Sequence, residues 1–575
     1  MTNYKFKIQE LSFKTGSDII NLKPRAINIF VGPNNSGKSR ILKEIRDWLS
    51  GDSGEIGILE NIEFDFPETF EVLDDAYNIT SMMQKDYYGN WFFGGYSNKP
   101  TQPFDMNTTY ESYFARQARA YSSEWRNTFS NAIKQKSKQQ FLEFFGSLFF
   151  RYLGTEERLM ICKSQTNYGL DNATKNYLSD VRFKHRALNE LSKITQKLFD
   201  VDIALDTQTL GTRLCFRVGK DLDTLKHTNQ LSEAEAKELY NKDMLDDQGD
   251  GIKNFVSVFL SLKCNDQGAL LLDEPEAFLH PPLARQLGEI IGNTADSDRP
   301  IFIATHSVEI LKGILSKSSD VQIIRITRPR LNSNKFTFIQ KETLNKVLET
   351  PLLRVSRVLE GIFCEKVVLT ESEADELIYQ EFIEKVFPES GLHFVHAQNK
   401  QTLGDIAQLY REIGVAFEIL VDFDILREPK EFTKLMTSIG IPIEMSSKFS
   451  QYAAQLRVQV DNSVKEGNLS SDEIESKQRK VRDKVYHKEG IRWFSEDLRS
   501  KIKDTLNVLD NYHLHILRSG ELETFLEEYG LDYLADKKSW VMNAINKIAS
   551  LDKEELVESA AAYNFIERVV NNPES

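Results

Sequence analysis

The stretch "VGPNNSGKSR", residues 31–40, decides the fold of the first part of the chain. It follows an apolar run, 26–31, and precedes a segment of helical character, 40–49. Its spacing, G-x-x-x-x-G-K-S, is typical of a loop whose backbone N–H groups converge on phosphate oxygens at the start of a helix. A strand, a phosphate loop and a helix in this order predict a nucleoside triphosphate site in an α/β domain.

Two polar side chains of this loop have expected roles. Lys38 is expected to reach the terminal phosphates of ATP, and the Ser39 hydroxyl to hold Mg²⁺. ATP and Mg²⁺ are therefore the predicted cofactors of this domain. The other loop residues predicted to bind nucleotide are Gly32, Asn35, Ser36 and Gly37.

A second part of the same site is predicted at "LLLDEPE", 270–276, where an apolar strand ends in acids. Ligands bind at the carboxyl ends of strands in open α/β sheets. Asp273 is expected to hold Mg²⁺, and Glu274 to polarise the attacking water as general base. His306 ends the strand-like "PIFIATH" and is placed to sense the γ-phosphate.

Two further features of the sequence bear on this site. Gly249, Asp250 and Gly251 stand before an apolar helical segment, which predicts another helix N-terminus able to bind an anion. Arg158, in "YLGTEER", has two readings: it assists phosphate binding, or it forms a structural ion pair.

The composition restricts the class of protein. The chain has 575 residues and a formal net charge of −14, which argues against a broadly basic surface but leaves room for a local basic groove. No apolar run approaches membrane-span length, and the N-terminal residues lack the apolar core of a secretory signal. Four cysteines without a C-x-x-C pair predict neither a zinc site nor disulfides. We therefore expect a cytoplasmic protein without a membrane partner.

The pattern along the chain predicts two α/β domains. The first occupies 1–345 and contains a helical insertion at about 61–150. A linker at 346–365 leads to the second domain, 366–575, with a helical insertion at about 444–492. Aromatic residues crowd 86–98 and 141–150; packing in a small core is favoured over stacking on nucleic-acid bases.

Four acids in the second domain follow two apolar, strand-like runs. Glu371 follows "KVVLT", and Asp375 comes four residues later, so both are expected on one helical face. Asp422 and Asp424 alternate at the end of "EILVDFD", so both are expected on one side of a strand. Such a cage of oxygens suits Mg²⁺ or Mn²⁺, and two ions can promote phosphodiester cleavage.

These motifs resemble two known modules. The order of phosphate loop, glycine segment, D-E strand and histidine strand is similar to the ABC-type ATPase heads of the SMC group. That resemblance implies a head-to-head homodimer or higher homo-oligomer, in which the glycine segment of one subunit completes the ATP site of another. The segment "DDQGDGIKNF", 246–255, departs from the usual L-S-G-G-Q of that class.

The second domain resembles the TOPRIM fold, and both domains in one chain resemble the OLD (overcoming lysogenization defect) family of ATP-dependent endonucleases. The resemblance implies that Glu521 and Glu523, in "RSGELETFL", are further metal ligands and that Lys400 contacts phosphate. Many TOPRIM domains carry glycine after the first glutamate, where this chain has Ser372. The predicted fold class is thus α/β, an ABC/SMC-like P-loop ATPase domain followed by a TOPRIM domain.

The resemblance implies an ATP-dependent, metal-dependent DNA endonuclease that serves as an antiviral effector. It also implies a second defence component: a helicase-like protein, a reverse transcriptase with its RNA–DNA product, or a toxin-like partner. Two alternatives remain. One is an ATPase sensor whose TOPRIM domain does not cut. The other is a topoisomerase-like enzyme, which needs a tyrosine nucleophile.

Overall fold

The computed structural model of the protein describes residues 4–16, 18–52, 57–85, 91–93, 120–121, 124–167, 178, 181–182, 184–220, 222, 231–264, 268–330, 333–340, 342–343, 357–398, 400–464, 471–531, 537–558 and 560–572. The contacts divide the chain into two compact units, Met1–Lys341 and Glu342–Ser575. No helix among these residues combines the length and the apolar character needed to cross a bilayer.

The first unit contains strands and helices in alternation. Its strands are β1 (Ile8–Thr15), β2 (Asp18–Leu22), β3 (Ile27–Val31), β4 (Leu59–Phe64), β5 (Met83–Lys85), β6 (Trp91–Phe93), β7 (Ala120–Tyr121), β8 (Phe150–Leu153), β9 (Gln165–Thr166), β10 (Asp202–Asp206), β11 (Arg213–Gly219), β12 (Asp243–Met244), β13 (Ala269–Asp273), β14 (Ile301–Ala304), β15 (Val321–Arg330) and β16 (Ser333–Ile339). Its helices are α1 (Lys38–Leu49), α2 (Phe70–Tyr77), α3 (Ile79–Met82), α4 (Trp125–Lys134), α5 (Lys138–Phe145), α6 (Thr155–Ile161), α7 (His185–Phe199), α8 (Glu233–Tyr240), α9 (Asp250–Cys264), α10 (Pro281–Asn293) and α11 (Val308–Leu315).

The central sheet of this unit has the strand order β16-β15-β3-β14-β13-β8. Its strands are parallel except β16, which runs antiparallel to β15. Every residue of β3, β13 and β14 is buried, as expected for inner strands of a parallel sheet covered on both faces. The carboxyl ends of β3, β13 and β14 therefore meet at one edge, which is where the predicted nucleotide residues lie.

The region predicted to be a helical insertion, 61–150, is mixed rather than helical in its described residues. It contains α2 to α5 but also most of β4, which pairs with β1, and the small antiparallel sheet β5-β6-β7. The prediction missed these strands because short strands carry little periodic signal. The phenylalanines of 141–150 pack as predicted, since Phe141, Phe145 and Phe149 are fully buried. Most of the aromatic stretch 86–98 lies outside the described residues.

The second unit is built on a four-stranded, all-parallel sheet of order β18-β17-β19-β20. Its strands are β17 (Lys366–Thr370), β18 (His393–His396), β19 (Ala416–Val421) and β20 (Leu514–Ile516). Its helices are α12 (Glu373–Val386), α13 (Lys400–Ile413), α14 (Pro429–Ser438), α15 (Ile443–Asn462), α16 (Ser471–Asp483), α17 (Glu496–Asp510), α18 (Lys537–Ser550), α19 (Lys553–Glu558) and α20 (Ala560–Val570).

The connection from β19 to β20 is helical in its described part and includes the segment predicted as an insertion, 444–492. A π-helical turn, Lys484–Glu489, follows α16 directly. It is followed by a 3₁₀ turn, Gly490–Trp493, and then by α17. Since β17 and β19 are adjacent and parallel, their carboxyl ends lie side by side. The π-helical turn of the connection contacts the segment that follows β20.

Candidate nucleotide and metal sites

The loop between β3 and α1 has the backbone of a phosphate-binding turn. Gly32 and Gly37 have φ angles of 140° and 99°, in the region that favours glycine. A Cβ on Gly32 would lie 2.1 Å from the Ile326 carbonyl oxygen, so no side chain fits there. The N-terminus of α1 follows immediately at Lys38, which directs its free N–H groups toward the loop.

Lys38 is buried within this loop. Its Nζ donates hydrogen bonds to the carbonyl oxygens of Gly32 and Pro33 at 2.9 and 2.7 Å. Burial lowers its pKa to about 8, while the carboxylates of Glu274 and Asp273 act in the opposite direction. Lys38 thus lies near both acids of the D-E strand, as a shared phosphate and cation site requires.

The end of β13 presents Asp273 and Glu274 as predicted. Tyr152 donates a hydrogen bond to Asp273 Oδ2 at 3.0 Å, whereas Asp273 Oδ1 is buried without a partner among the described residues. Glu274 has a φ of 51°, and its Oε1 lies 3.7 Å from Nε2 of His306. Burial lowers the pKa of His306 to about 4, so the imidazole is neutral at pH 7.

Of the two roles considered for Arg158, the structure favours the structural one. Its partners are carbonyl oxygens, however, and not an acidic side chain. It is fully buried, and its guanidinium donates to the carbonyl oxygens of Leu153, Asp273 and Glu274 at 2.8, 2.6 and 3.0 Å. Its Nε also donates to Asn254 Oδ1 at 2.5 Å. Arg158 therefore fixes the backbone that carries the two acids.

Glu276 was missed by the sequence interpretation, although it belongs to the same "DEPE" motif. One of its carboxylate oxygens accepts from Thr305 Oγ1 at 2.7 Å and from the His306 N–H at 2.8 Å. Burial raises the pKa of Glu276. This carboxyl ties the turn after β13 to the turn after β14, so it sets the position of His306 relative to Glu274.

The glycine segment opens α9 slightly earlier than expected, because the helix begins at Asp250, between the two glycines. A Cβ on Gly251 would lie 2.8 Å from the Phe278 carbonyl oxygen, so this glycine is required for close packing. A Cβ on Gly249 would meet nothing within 4 Å. Packing therefore explains Gly251 and places no such requirement on Gly249.

The first acid of the second unit, Glu371, lies between β17 and α12. It stands one residue before the helix N-cap, Ser372, so the expectation that Glu371 and Asp375 share a helical face is wrong. Asp375 instead closes a capping box: it accepts from the Ser372 N–H at 2.8 Å and from Ser372 Oγ at 3.0 Å. Ser372 has an extended φ of −134°, so this position does not require glycine.

The second acidic pair also departs from the predicted geometry. β19 ends at Val421, and the residues that follow, Phe423–Arg427, form a 3₁₀ turn. Asp422 and Asp424 are therefore not alternate residues of one strand. Their proximity comes from the turn, which is held by a hydrogen bond from the Phe423 N–H to the Gly520 carbonyl oxygen at 2.9 Å.

The acids at this edge nevertheless interact strongly. Glu371 and Asp422, at the ends of β17 and β19, lie close enough to influence each other's pKa. Burial, together with the neighbouring carboxylates, raises the pKa of both Glu371 and Asp422. Lys400 Nζ bonds Asp424 and lies 3.8 Å from Glu371 Oε2. Lys400 thus partly neutralises the acids, and its predicted contact with phosphate stays a prediction.

His487, from the π-helical turn, is a residue that the sequence interpretation missed, because nothing in its polar helical context distinguishes it. Its Nδ1 contacts Glu521 Oε1, and this hydrogen bond raises the pKa of His487. Ligand atoms of Asp424, His487 and Glu521 all lie within 4.8 Å of one another. Glu523, the other predicted ligand from this segment, is buried and does not belong to this set.

Two domain families match the chain. Residues 27–312 match the AAA domain described as a putative AbiEii toxin of a type IV toxin–antitoxin system. Residues 362–424 match the TOPRIM domain of proteins like the overcoming lysogenization defect protein. The first match contains the phosphate loop, Asp273, Glu274 and His306, and the second contains Glu371, Asp375, Asp422 and Asp424.

Individual relatives are more distant. The Old nuclease of Escherichia phage P2 is 25% identical over 166 residues, which cover 27% of this chain and 28% of that protein. An SMC head bound to the C-terminal winged-helix domain of ScpA has 12% identity and a TM-score of 0.34, covering 59% of this chain and 100% of that one. The C-terminal region of the Xanthomonas campestris pv. campestris OLD protein has 12% identity and a TM-score of 0.16. The match covers 37% of this chain and 87% of that one.

Proposed function

Because this chain is an OLD-family protein, with an ATPase domain followed by a TOPRIM domain, we propose that it is an ATP-dependent, divalent-metal-dependent DNA endonuclease. The observation that supports cleavage is the group of acids at the carboxyl edge of the second sheet. Glu371 Oε1 and Asp424 Oδ1 are buried there without hydrogen-bond partners among the described residues. Buried carboxylate oxygens without a donor fit a divalent cation, so the residues present suit the ions that the family implies.

The ATPase residues have complementary roles. Lys38 and the N–H groups at the start of α1 bind the phosphates, and Ser39 and Asp273 are the residues that would hold Mg²⁺. Glu274 orients and deprotonates water, and neutral His306 beside it can accept or donate a hydrogen bond at the γ-phosphate. Arg158 and Glu276 position the two acids and the histidine by holding their backbone.

At the second site, Glu371, Asp422 and Asp424 are the residues that would hold divalent ions, Mg²⁺ or Mn²⁺. Bound there, the ions would activate water and stabilise the leaving oxygen of a phosphodiester. Asp375 contributes less directly, since its carboxylate already caps α12. Lys400 balances part of the negative charge and is available to a DNA phosphate once cations bind the acids.

The test is a paired assay on one preparation, with plasmid nicking and phosphate release measured together. Glu371→Ala and Asp422→Ala should lose nicking by a factor on the order of 10³ while ATP hydrolysis stays near wild type. Chelator should stop nicking, and Mg²⁺ or Mn²⁺ should restore it. Glu373→Ala, an exposed acid two residues from Glu371, is the matched control and should behave as wild type.

Retained nicking in both alanine variants would refute the assignment of the chemistry to these acids. Absence of nicking in the wild type, under every DNA and metal condition that supports ATP hydrolysis, would instead favour the sensor alternative. A covalent protein–DNA adduct trapped by denaturation would favour the topoisomerase-like alternative.

We further propose that the ATPase domains of two subunits associate head to head, with Gly249 facing the nucleotide of the partner. Crosslinking between engineered surface cysteines near Gly249 should increase when ATP is added to the Glu274→Gln variant, which binds ATP but hydrolyses it slowly. A crosslinking pattern that ATP does not change would contradict this assembly.

The biological role that we propose is defence against phage together with a second, separately encoded component. Cells that carry the complete gene neighbourhood should lose protection, measured as plaque number, when Glu371→Ala replaces the wild type. The expressed variant must be present at wild-type level for the comparison to hold. Undiminished protection would separate the defence role from DNA cleavage.

A further inference from the structure

His487 has no role in the function proposed above. It lies in the π-helical turn Lys484–Glu489, yet it reaches the edge of the sheet where the acids cluster. The backbone explains how. The Glu521 N–H donates to the His487 carbonyl oxygen at 3.0 Å, and a Cβ on Gly520, at a φ of 130°, would lie 2.5 Å from that oxygen. The two segments are therefore in direct main-chain contact, and this contact fixes the imidazole beside Glu521.

Three side chains form a compact donor set here. Arg427 Nη1 lies 3.3 Å from His487 Nε2, so Nδ1, which faces Glu521, is the ring nitrogen left for a cation. Oxygens of Asp424 and Glu521 and a ring nitrogen of His487 lie within 4.8 Å of one another. Lys400 occupies Oδ2 of Asp424, but Oδ1 is buried and has no hydrogen-bond partner among the described residues. The three side chains are 16%, 25% and 28% exposed, so the position is neither sealed nor fully solvated.

The chemistry of this set differs from that of Glu371 and Asp422. An all-carboxylate position suits Mg²⁺, whereas an imidazole nitrogen favours first-row transition ions over Mg²⁺. We propose that Asp424, His487 and Glu521 form a second cation position that selects a transition ion, Mn²⁺, Co²⁺ or Zn²⁺, next to the all-carboxylate position. The inference builds on the proposed nuclease site, since Asp424 belongs to both, but it concerns which ion is bound and by which atoms.

An ordinary histidine–carboxylate pair is the competing explanation, and the same unit contains one for comparison. His396 Nδ1 pairs with Glu376, and its side chain is 25% exposed, the same fraction as His487. Glu376 and His396 are not accompanied by a third ligand in the described residues. His396→Ala is therefore the matched control, because it removes an equally exposed, carboxylate-paired histidine outside the proposed set.

The experiment uses the full-length protein labelled with ¹⁵N-histidine, without ATP, and with Mn²⁺ as the probe. All samples carry His306→Ala, so the histidine of the nucleotide site cannot contribute. Pulsed EPR should detect coupling of bound Mn²⁺ to ¹⁵N, and the coupling should persist with His396→Ala. It should disappear with His487→Ala and with His487→Gln, which keeps a hydrogen-bonding group for Glu521. Since loss of an outer-shell partner alone lowers metal affinity roughly 10–100-fold, the His487 variants should bind Mn²⁺ at this position at least about 10-fold more weakly.

Missing ¹⁵N coupling in the sample with His487 intact, or coupling that survives His487→Ala, would overturn the proposed site. These results are separable from the nuclease proposal. A protein that nicks plasmid but shows no coupling refutes the histidine site alone. A protein that shows the coupling but never nicks DNA retains the histidine site and refutes the nuclease proposal.

Discussion

At the scale of single residues, Arg158 shows how one buried side chain can organise a site without touching its ligand. Its guanidinium holds the carbonyl oxygens of both Asp273 and Glu274, so the direction of both carboxylates depends on it. Asn254 extends the same network by donating to the Pro275 carbonyl oxygen at 2.8 Å. A residue type often found on phosphate is here part of the framework.

We expect Arg158→Ala to destabilise the first unit by at least about 3 kcal/mol, because it leaves several buried acceptors without donors. The exposed Arg186→Ala is the control for loss of charge and should change the free energy of unfolding by less than about 0.5 kcal/mol. Urea unfolding measures both. Unchanged stability combined with lost ATP binding would show that Arg158 assists phosphate binding instead.

Lys38→Ala and Glu274→Gln should separate binding from hydrolysis. Lys38→Ala removes the charge that meets the terminal phosphates, so ATP binding measured by calorimetry should be lost. Glu274→Gln removes the base but keeps the side-chain shape, so binding should persist while hydrolysis falls by a factor on the order of 10² or more. Equal hydrolysis rates in wild type and Glu274→Gln would exclude Glu274 as the base.

Sequence reasoning identified the residues that belong to a recognisable local motif. It failed for residues that reach the site only through contacts with distant parts of the chain. Lys38, Asp273 and Glu371 follow strands and could be placed from spacing alone. Tyr152 and His487 reach their sites through tertiary contacts, and no pattern of neighbouring residues predicts such contacts. Glu276 was recoverable in principle, since it stands two residues after Glu274.

At the scale of elements, the turns after β17 and β19 determine the second site more than the strands do. Each strand ends just before its first acid, and a capping box or a 3₁₀ turn then places the second. The sequence predicted strand ends correctly but treated the acids as continuing the helix or strand periodicity. Strand and helix ends are where such periodicity stops, which explains the error.

The capping box makes Ser372 testable. Ser372→Ala should lower the free energy of unfolding of the second unit by about 1 kcal/mol, because the cap of α12 is lost. Ser372→Gly should cost only a few tenths of a kcal/mol, since glycine is tolerated at N-caps. Chemical denaturation would measure both. A larger loss for glycine than for alanine would show that the serine acts through backbone restriction instead.

At the scale of the whole molecule, the family resemblance is confirmed: an ATPase domain precedes a TOPRIM domain, and the fold is α/β. The domain limits, 1–345 and 366–575 with a linker at 346–365, stay predictions. The described contacts divide the chain at Lys341, while 344–356 lie outside the described residues. Domain order was predictable because each motif is local, whereas the strands within 61–150 depend on pairing with β1 and with one another.

A buried charge network in the second unit should give its stability a defined pH window. His515 bonds Glu418 at 2.7 Å and Asp510 at 3.0 Å, and all three side chains are buried. Hydrogen bonds to these acids raise the pKa of His515 despite its burial, and bonds from the histidines and nearby cations lower the pKa values of Glu418 and Asp510. The contribution of His515 to the free energy of unfolding is complete below its ordinary pKa of 6.5. It is lost as the pH rises through the raised pKa of the folded protein.

The contributions of Glu418 and Asp510 to the free energy of unfolding are complete above their ordinary pKa values, 4.5 and 3.8. They are lost as the pH falls through the lowered pKa values of the folded protein. The network should therefore stabilise most between about pH 4.5 and 6.5. Urea midpoints of wild type and His515→Gln should differ most in that window and converge toward pH 9. A difference that does not vary with pH would show that His515 contributes by packing alone.

The main-chain contact between the π-helical turn and the segment after β20 also has a consequence for the order of synthesis. Glu371 and Asp424 leave the ribosome before Glu521, which emerges only after the whole helical connection and β20. Under the further inference, the second cation position lacks Glu521 until then, after the whole ATPase domain has been made. The order of translation therefore places completion of this cation position after synthesis of the ATPase domain.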